Sequence, residues 1–314
     1  MTKSLSIIVS VYNEQDGLLQ FWESISKSLL ELKEYRLRLI FVNDGSKDDS
    51  SEILKKISNE SKNGNILVEV IEFSRNFGHE AAMIAGIDHT DDDILICMDA
   101  DLQHPPEYIA QMLEQYQKGS EIVLMNRVKR HDKIGFSSFS SKVFYKLINW
   151  LSENNFENNA SDFFLISQDV ANVLKSNYRE RNRFLRGFIQ VIGFRINTLE
   201  FEAPARFAGI SNYNFKSLFK LGFTAIFAFS NKPLKISLFC SIAFLLFSFV
   251  FIVFTLIVYF FYDTPPSGYT TMVILQALGF TVISFMITIL SSYFGRSLFE
   301  IRDRPIYIIK NIKK

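Results

Sequence analysis

Apolar and polar positions along this chain follow two successive regimes. The first begins with Leu5-Ser6-Ile7-Ile8-Val9-Ser10-Val11, a β-rich run, and Tyr12-Asn13-Glu14 leaves it just before Leu18, Trp22, Ile25, Leu29 and Leu32 recur at helical spacing. Leu39-Ile40-Phe41-Val42 predicts a second strand, closed by the turn residues Asn43-Asp44-Gly45-Ser46 and followed by a helix around Ser51 to Ile57. Ile66 to Ile71 reads as a third strand, Gly78 to Asp88 as a third helix, Ile94 to Met98 as a fourth strand and Glu121 to Met125 as another. Strands alternating with helices predict an α/β fold with a mostly parallel sheet covered on both faces, and ligands on such sheets bind at the carboxyl ends of the strands. Tyr12-Asn13-Glu14, Asn43-Asp44, Ser74-Arg75-Asn76, Asp99 with Asp101, and Asn126-Arg127 all fall at those ends. They predict one shared pocket.

The second regime is apolar without alternation. No charged residue lies between Ile236 and Tyr262, and after Asp263 the next charge is Arg296, so two stretches each exceed the ~20 residues that cross a bilayer. Lys232 and Lys235 precede the first, Arg296, Arg302 and Arg304 follow the second, and the connection at 263–268 has no Lys or Arg. Positive-inside bias then places both ends in the cytoplasm, as expected of a multi-pass protein of the cell (inner or plasma) membrane. Ahead of the spans, Phe215, Phe219, Phe223 and Ile226 form a stripe flanked by Lys216 and Lys220, which predicts an interfacial helix. A similar stripe over Gly135 to Leu151 fits either the interface or packing on the sheet. The expected organisation is a cytoplasmic domain over 1–214, an interfacial amphipathic helix over 215–231, two transmembrane helices over 232–296 and a cytoplasmic tail over 297–314. Without charges inside them, the spans read as anchors, with homo-oligomer contacts as a further role. The N-terminus lacks a basic segment followed by a long apolar one, so no cleaved signal peptide is expected.

Composition changes this picture little. The 314 residues are 48% hydrophobic and 21% charged, with a formal net charge of +1, which argues against a nucleic-acid partner. Cys97 and Cys240 have neither disulfide nor zinc spacing and read as buried small apolar residues. His79, His89, His104 and His131 are scattered and show no zinc pattern.

Chemistry concentrates in Cys97-Met98-Asp99-Ala100-Asp101-Leu102-Gln103-His104-Pro105-Pro106. In an extended segment residues two apart point the same way, so Asp99 and Asp101 would face one side with Gln103 following, a hard-oxygen set suited to Mg²⁺ or Mn²⁺. The competing reading has these acids capping the helix begun by Pro105 and Pro106. No G-x-G-x-x-G follows the first strand and no G-x-x-x-x-G-K-[ST] loop occurs, so a nucleotide would be held by side chains and metal. Arg127 and Arg206 are positioned to clamp phosphate oxygens by bidentate guanidinium bonds, or are solvated surface charges. No Ser-His or Cys-His pair stands at a recognisable spacing for covalent catalysis.

Val9-Ser10-Val11-Tyr12-Asn13-Glu14, Asn43-Asp44-Gly45-Ser46, Ser74-Arg75-Asn76-Phe77-Gly78-His79 and Met98-Asp99-Ala100-Asp101-Leu102-Gln103 resemble family 2 glycosyltransferases, specifically the polyprenyl-phosphate branch related to bactoprenol glucosyltransferases and dolichol-phosphate mannose synthase. Ser161-Asp162-Phe163, the segment Glu180 to Gly187, Arg206 to Tyr213 and Phe229 to Leu234 continue the likeness to about residue 296. Ser10, Ser138, Ser161 and Asn212 depart from it where Pro, Arg, Gly and Lys are common.

The resemblance implies a GT-A-type, Rossmann-like sheet with two C-terminal transmembrane helices. It implies inverting, metal-dependent transfer of one sugar from a nucleotide-sugar donor, UDP-glucose foremost, to polyprenyl (undecaprenyl) phosphate at the cytoplasmic face. UDP-N-acetylhexosamine, UDP-galactose and GDP-mannose are the alternative donors. Tyr12, Glu14 and Asp44 would bind the nucleoside end, Asp99, Asp101 and Gln103 the metal and donor, and Arg127 and Arg206 the phosphates. Asp162 would orient the acceptor or act as base, against a blander reading as a helix cap. A processive polysaccharide synthase is the nearest rival, but no Q-x-x-R-W motif occurs. A non-catalytic membrane scaffold or flippase partner is the rival from another class.

Overall fold

The computed structural model describes residues 2–61, 66–127, 160–180, 185–204, 232–261 and 268–313. The predicted helices over 135–151 and 215–229, the connection at 263–267, and Arg206 lie outside them. By contacts the chain divides into one unit comprising Met1–Phe139, Phe156–Tyr213 and Arg304–Lys314, and a second comprising Ser140–Asn155 and Asn214–Asp303.

The first unit is built on β1 (Ser4–Val11), α1 (Leu18–Leu30), β2 (Arg36–Asn43), α2 (Ser50–Glu60), β3 (Ile66–Phe73), α3 (His79–Asp88), β4 (Ile94–Asp99), α4 (Tyr108–Gln117), β5 (Ile122–Arg127), β6 (Ala160–Ser167), α5 (Gln168–Asn177), α6 (Leu185–Val191), β7 (Ile196–Phe201) and, at the C-terminus, β8 (Ile309–Lys313). The strands form one sheet in the order β7-β5-β6-β4-β1-β2-β3-β8. Its centre is parallel, with β1 between β2 and β4. Every residue of β1 is buried, as a strand covered on both faces requires. Leu18, Phe21, Ile25 and Leu29 of α1 pack into the core, whereas α3 is buried almost all round. Gly86 brings α3 against β1, where a Cβ would lie 2.2 Å from Ile8 Cγ2.

The expectation of a mostly parallel sheet holds for the pairings β1–β2, β1–β4, β2–β3 and β5–β7, with two additions. The sheet is mixed: β6 runs antiparallel between β4 and β5, and β8 runs antiparallel to β3 at the edge. The expected free tail therefore ends as a strand. Tyr307, just before β8, stacks on Phe73 with centroids 5.3 Å apart and donates its hydroxyl to Asp88 at 2.7 Å. Arg179 grips the same carboxylate through two bonds of 2.8 and 3.0 Å. Tyr307→Phe removes the phenolic bond alone and should cost ~1–2 kcal/mol, read as a fall of a few degrees in Tm. An unchanged melt would mean that the edge strand is held without it.

The second unit contains α7 (Lys232–Phe261) and α8 (Tyr269–Ile301). Ser241 Oγ lies 3.0 Å from Met286 Sδ, and Phe244 lies against Gly279. The two pairings run in opposite sequence directions, so the helices form an antiparallel hairpin. Among the described residues one helical stretch, Ile274–Gly295, is long and apolar enough to cross a membrane, and Ile236–Phe251 is a shorter apolar run. α8 continues to Ile301, beyond the expected span end at 296. Phe239, Phe260 and Met272 are each more than 70% exposed, an apolar surface suited to membrane association. Cys97 is buried as expected, but Cys240 on α7 is only partly so.

Candidate active site

The chain passes from β1 outward to β2 and β3, then returns to the other side of β1 as β4. That reversal is a topological switch point, and ligands on such sheets usually bind beyond the carboxyl ends of the strands that flank it, here β1 and β4. The β1–β4 register sets Ser10 beside Asp99, and extending the antiparallel β4–β6 register from the Cys97–Phe164 pair sets Asp162 opposite Asp99. Asp162 thus lies within a strand. The helix that follows is capped by Ser167, whose hydroxyl accepts from Val170 N–H, so the capping reading of Asp162 does not hold.

Three loops beyond β1, β2 and β3 are stitched together. Asn13, at φ 55°, accepts from Lys47 N–H at 2.8 Å and donates its own N–H to Ser46 Oγ at 3.0 Å. Glu14 N–H donates to Ser50 Oγ at 2.9 Å. Asp44, only 2% exposed, accepts from Phe77 N–H, Gly78 N–H and Asn76 Nδ2 at 2.6, 2.9 and 2.8 Å. Burial raises its pKa while the Phe77 and Gly78 N–H groups pull it back. In this structure Asp44 shapes the loop that delivers His79. Tyr12 stands 41% exposed at the rim.

Gly45 allows the stitching. At φ +66° a Cβ would come 2.5 Å from Arg75 C and 2.7 Å from Asn76 N, atoms of the backbone that cannot step aside. Gly45→Ala should destabilise by more than the ~1–2 kcal/mol of the left-handed conformation alone. Thermal denaturation reads this, and a wild-type Tm would show that the loops part without cost.

The acid tip departs from the extended geometry expected of it. β4 ends at Asp99, Ala100 is buried, and Leu102 turns the chain at φ 62°. Asp101 Oδ1 accepts from Gln103 N–H at 3.0 Å, forming a local turn. The alternative of acids capping the next helix also fails, because α4 starts later, with Glu107 as its N-cap and no side-chain cap bond. Arg127, exposed at the end of β5, donates to Gln103 Oε1 at 2.6 Å.

Two histidines without a role in the sequence reading meet here. His79, first residue of α3, has Nδ1 at 2.7 Å from Ser10 Oγ and 3.2 Å from Asp99 Oδ1, and Nε2 at 3.7 Å from Asp162 Oδ2. Burial disfavours its charged form, yet Asp99, Asp162 and Glu80 outweigh that and hold its pKa above the ordinary histidine value. The pKa of Asp99 is raised as well: burial pushes it up, and His79 and His104 offset that only in part. His104 is buried and kept neutral, its pKa lowered by that burial. Only the position of His79 in a matched motif hinted at its place, while spacing along the chain hid both. Among the described residues no group of three or more His, Cys, Asp or Glu closes a metal cage.

Residues 6–175 match the sequence model of glycosyl transferase family 2. The chain is 33% identical over 305 residues to an uncharacterized glycosyltransferase of Bacillus subtilis (strain 168), covering 97% of this chain and 93% of that one. It is 33% identical over 309 residues to a bactoprenol glucosyl transferase of Shigella phage SfX, covering 98% and 99%. Among solved structures, glucosyl-3-phosphoglycerate synthase from Mycobacterium tuberculosis, crystallised with Mn²⁺, UDP-glucose and phosphoglyceric acid, superposes at 16% identity with a TM-score of 0.46 over 72% of this chain and 78% of that one.

Proposed function

This chain belongs to glycosyl transferase family 2 and is a glycosyltransferase related to bactoprenol glucosyl transferases, and from that premise we propose that it transfers one sugar, glucose from UDP-glucose, to polyprenyl phosphate with inversion. The reading rests on one observation: Asp101 and Asp162 lie close enough to act electrostatically on Asp99 at the carboxyl end of β4, in a chain that matches a bactoprenol glucosyl transferase over 98% of its length.

The donor set fits Mg²⁺ or Mn²⁺. Such ions keep waters and take substrate phosphates as ligands, so one or two protein carboxylates suffice without a closed cage. Asp99 and Asp101 would supply them, with Gln103 as a neutral third. An ion held there would offset the negative charge that builds on the departing nucleoside diphosphate. Tyr12, Glu14 and Asp44 define the nucleoside side, Glu14 by accepting from ribose or base donors. Arg127 and Arg206 hold phosphate oxygens. Asp162 orients the acceptor phosphate, or takes its proton when it arrives monoprotonated. His79, between Asp99 and Asp162, holds the two carboxylates apart from mutual repulsion.

The membrane architecture belongs to the same proposal. α7 and α8 each cross the bilayer, with the GT-A-type domain and the C-terminal strand on the cytoplasmic side, where sugar nucleotides are made. The Lys and Arg flanking the helices support that orientation. Nucleotide binding tests the donor side: with Mn²⁺ present, UDP should bind at least ~10-fold tighter than GDP, a gap of ~1.4 kcal/mol. Equal affinities, or tighter GDP, would overturn the uridine assignment.

A further inference from the structure

We propose that His104 is the positioning residue of the acid tip, tying the end of β4 to the start of β6 so that Asp99 and Asp101 are set to receive the divalent cation. The proposal rests on the metal reading above and adds to it the group that holds the metal-binding loop in place.

The ring reaches back over five residues to its own strand end. Asp99 N–H donates to His104 Nδ1 at 2.9 Å. A backbone N–H can only donate, so Nδ1 carries the lone pair and the ring proton sits on Nε2. That second nitrogen lies 2.7 Å from Ser161 Oγ and donates to it. Ser161 is the neighbour of Asp162 on β6, so one imidazole spans the two strands that carry the acids. The Ser161 hydroxyl is the acceptor that ties the ring to β6.

Packing leaves the ring little freedom. It is 4% exposed, lies nearly parallel to Phe163 with centroids 5.2 Å apart, and meets Phe201 edge-on at 6.1 Å. Between its two anchors the chain makes the Leu102 turn and the Asp101–Gln103 bond. Without the bond to Nδ1, Asp99 N–H would lose its acceptor and the turn carrying Asp101 would lose its C-terminal tether. A partner that orients a ligand in this way typically changes metal affinity by ~10–100-fold when it is removed.

The test is direct Mn²⁺ binding to the full-length protein in detergent with UDP present, followed by electron paramagnetic resonance alongside a thermal melt. The variants are His104→Gln, His104→Asn, Ser161→Ala and Asp101→Ala. An Asn amide oxygen falls close to the place of Nδ1, whereas a Gln amide falls near Nε2. His104→Gln should therefore weaken Mn²⁺ binding by ~10–100-fold, His104→Asn should recover most of that loss, and Ser161→Ala should weaken it by a smaller factor while keeping the fold. If Asp101→Ala loses the metal and His104→Gln binds it like wild type, the positioning role is overturned and the metal reading stands. If Asp101→Ala itself binds Mn²⁺ normally, both fall. Should His104→Gln fail to fold, unchanged affinity in Ser161→Ala overturns the proposal.

Discussion

Asp99→Ala and Asp101→Ala are each expected to lower sugar transfer by about three orders of magnitude, and excess EDTA should do the same to the wild type. A cation stabilising the leaving diphosphate supplies several kcal/mol of transition-state energy, and ~4 kcal/mol is a factor of ~10³ in rate. The two substitutions differ in what else they disturb. Asp101 lies in a turn, accepts from Gln103 N–H and is only partly buried, so its removal opens no core cavity and the protein should still fold. Asp99 sits beside His79 and His104, and its loss leaves only Asp162 and Glu80 among the acids that hold the His79 pKa up. Asp99→Ala should therefore also bring the His79 pKa down, measurable by NMR titration of the imidazole. Wild-type transfer under chelation would remove the metal from the account.

Asp162→Asn should reduce kcat by ~10²–10⁴-fold if the carboxylate takes the acceptor proton, with a KM for the donor close to that of wild type. Its location supports this size of effect: it is close enough to Asp99 to act on its charge and lies 3.7 Å from His79 Nε2. The pH dependence separates its two roles. A base is needed only while the acceptor phosphate retains a proton, so the deficit of the variant should shrink as pH rises and the phosphate ionises fully. A deficit constant across pH would assign Asp162 to orientation alone, and near-normal kcat would leave it without a part in transfer.

The parallel centre of the sheet was legible because β1 to β4 are compact apolar runs separated by helical periodicity, and the turn residues after β1, β2 and β3 marked the rim of the site. What escaped had physical reasons. β6, Ala160–Ser167, was not among the strands expected, and strand direction leaves no trace in periodicity, so neither it nor its antiparallel course was read. β8, Ile309–Lys313, is short, half exposed and separated from the front domain by two long apolar stretches, so its alternation read as a charged tail. The extended reading of Asp99 to Gln103 failed at Leu102, a leucine in left-handed conformation, which no propensity would assign there. His79 lies 20 and 83 residues from Asp99 and Asp162, and His104 lies 57 residues from Ser161. Only the strand order brings them together.

The most direct test of the account is the lipid product itself. Full-length protein in detergent, supplied with UDP-glucose, undecaprenyl phosphate and Mn²⁺, should convert the lipid to a species heavier by one hexose residue, releasing UDP in equal amount, with no product after EDTA. Lipid that stays unmodified while UDP-glucose is consumed, or conversion at the same rate without a divalent cation, would contradict it.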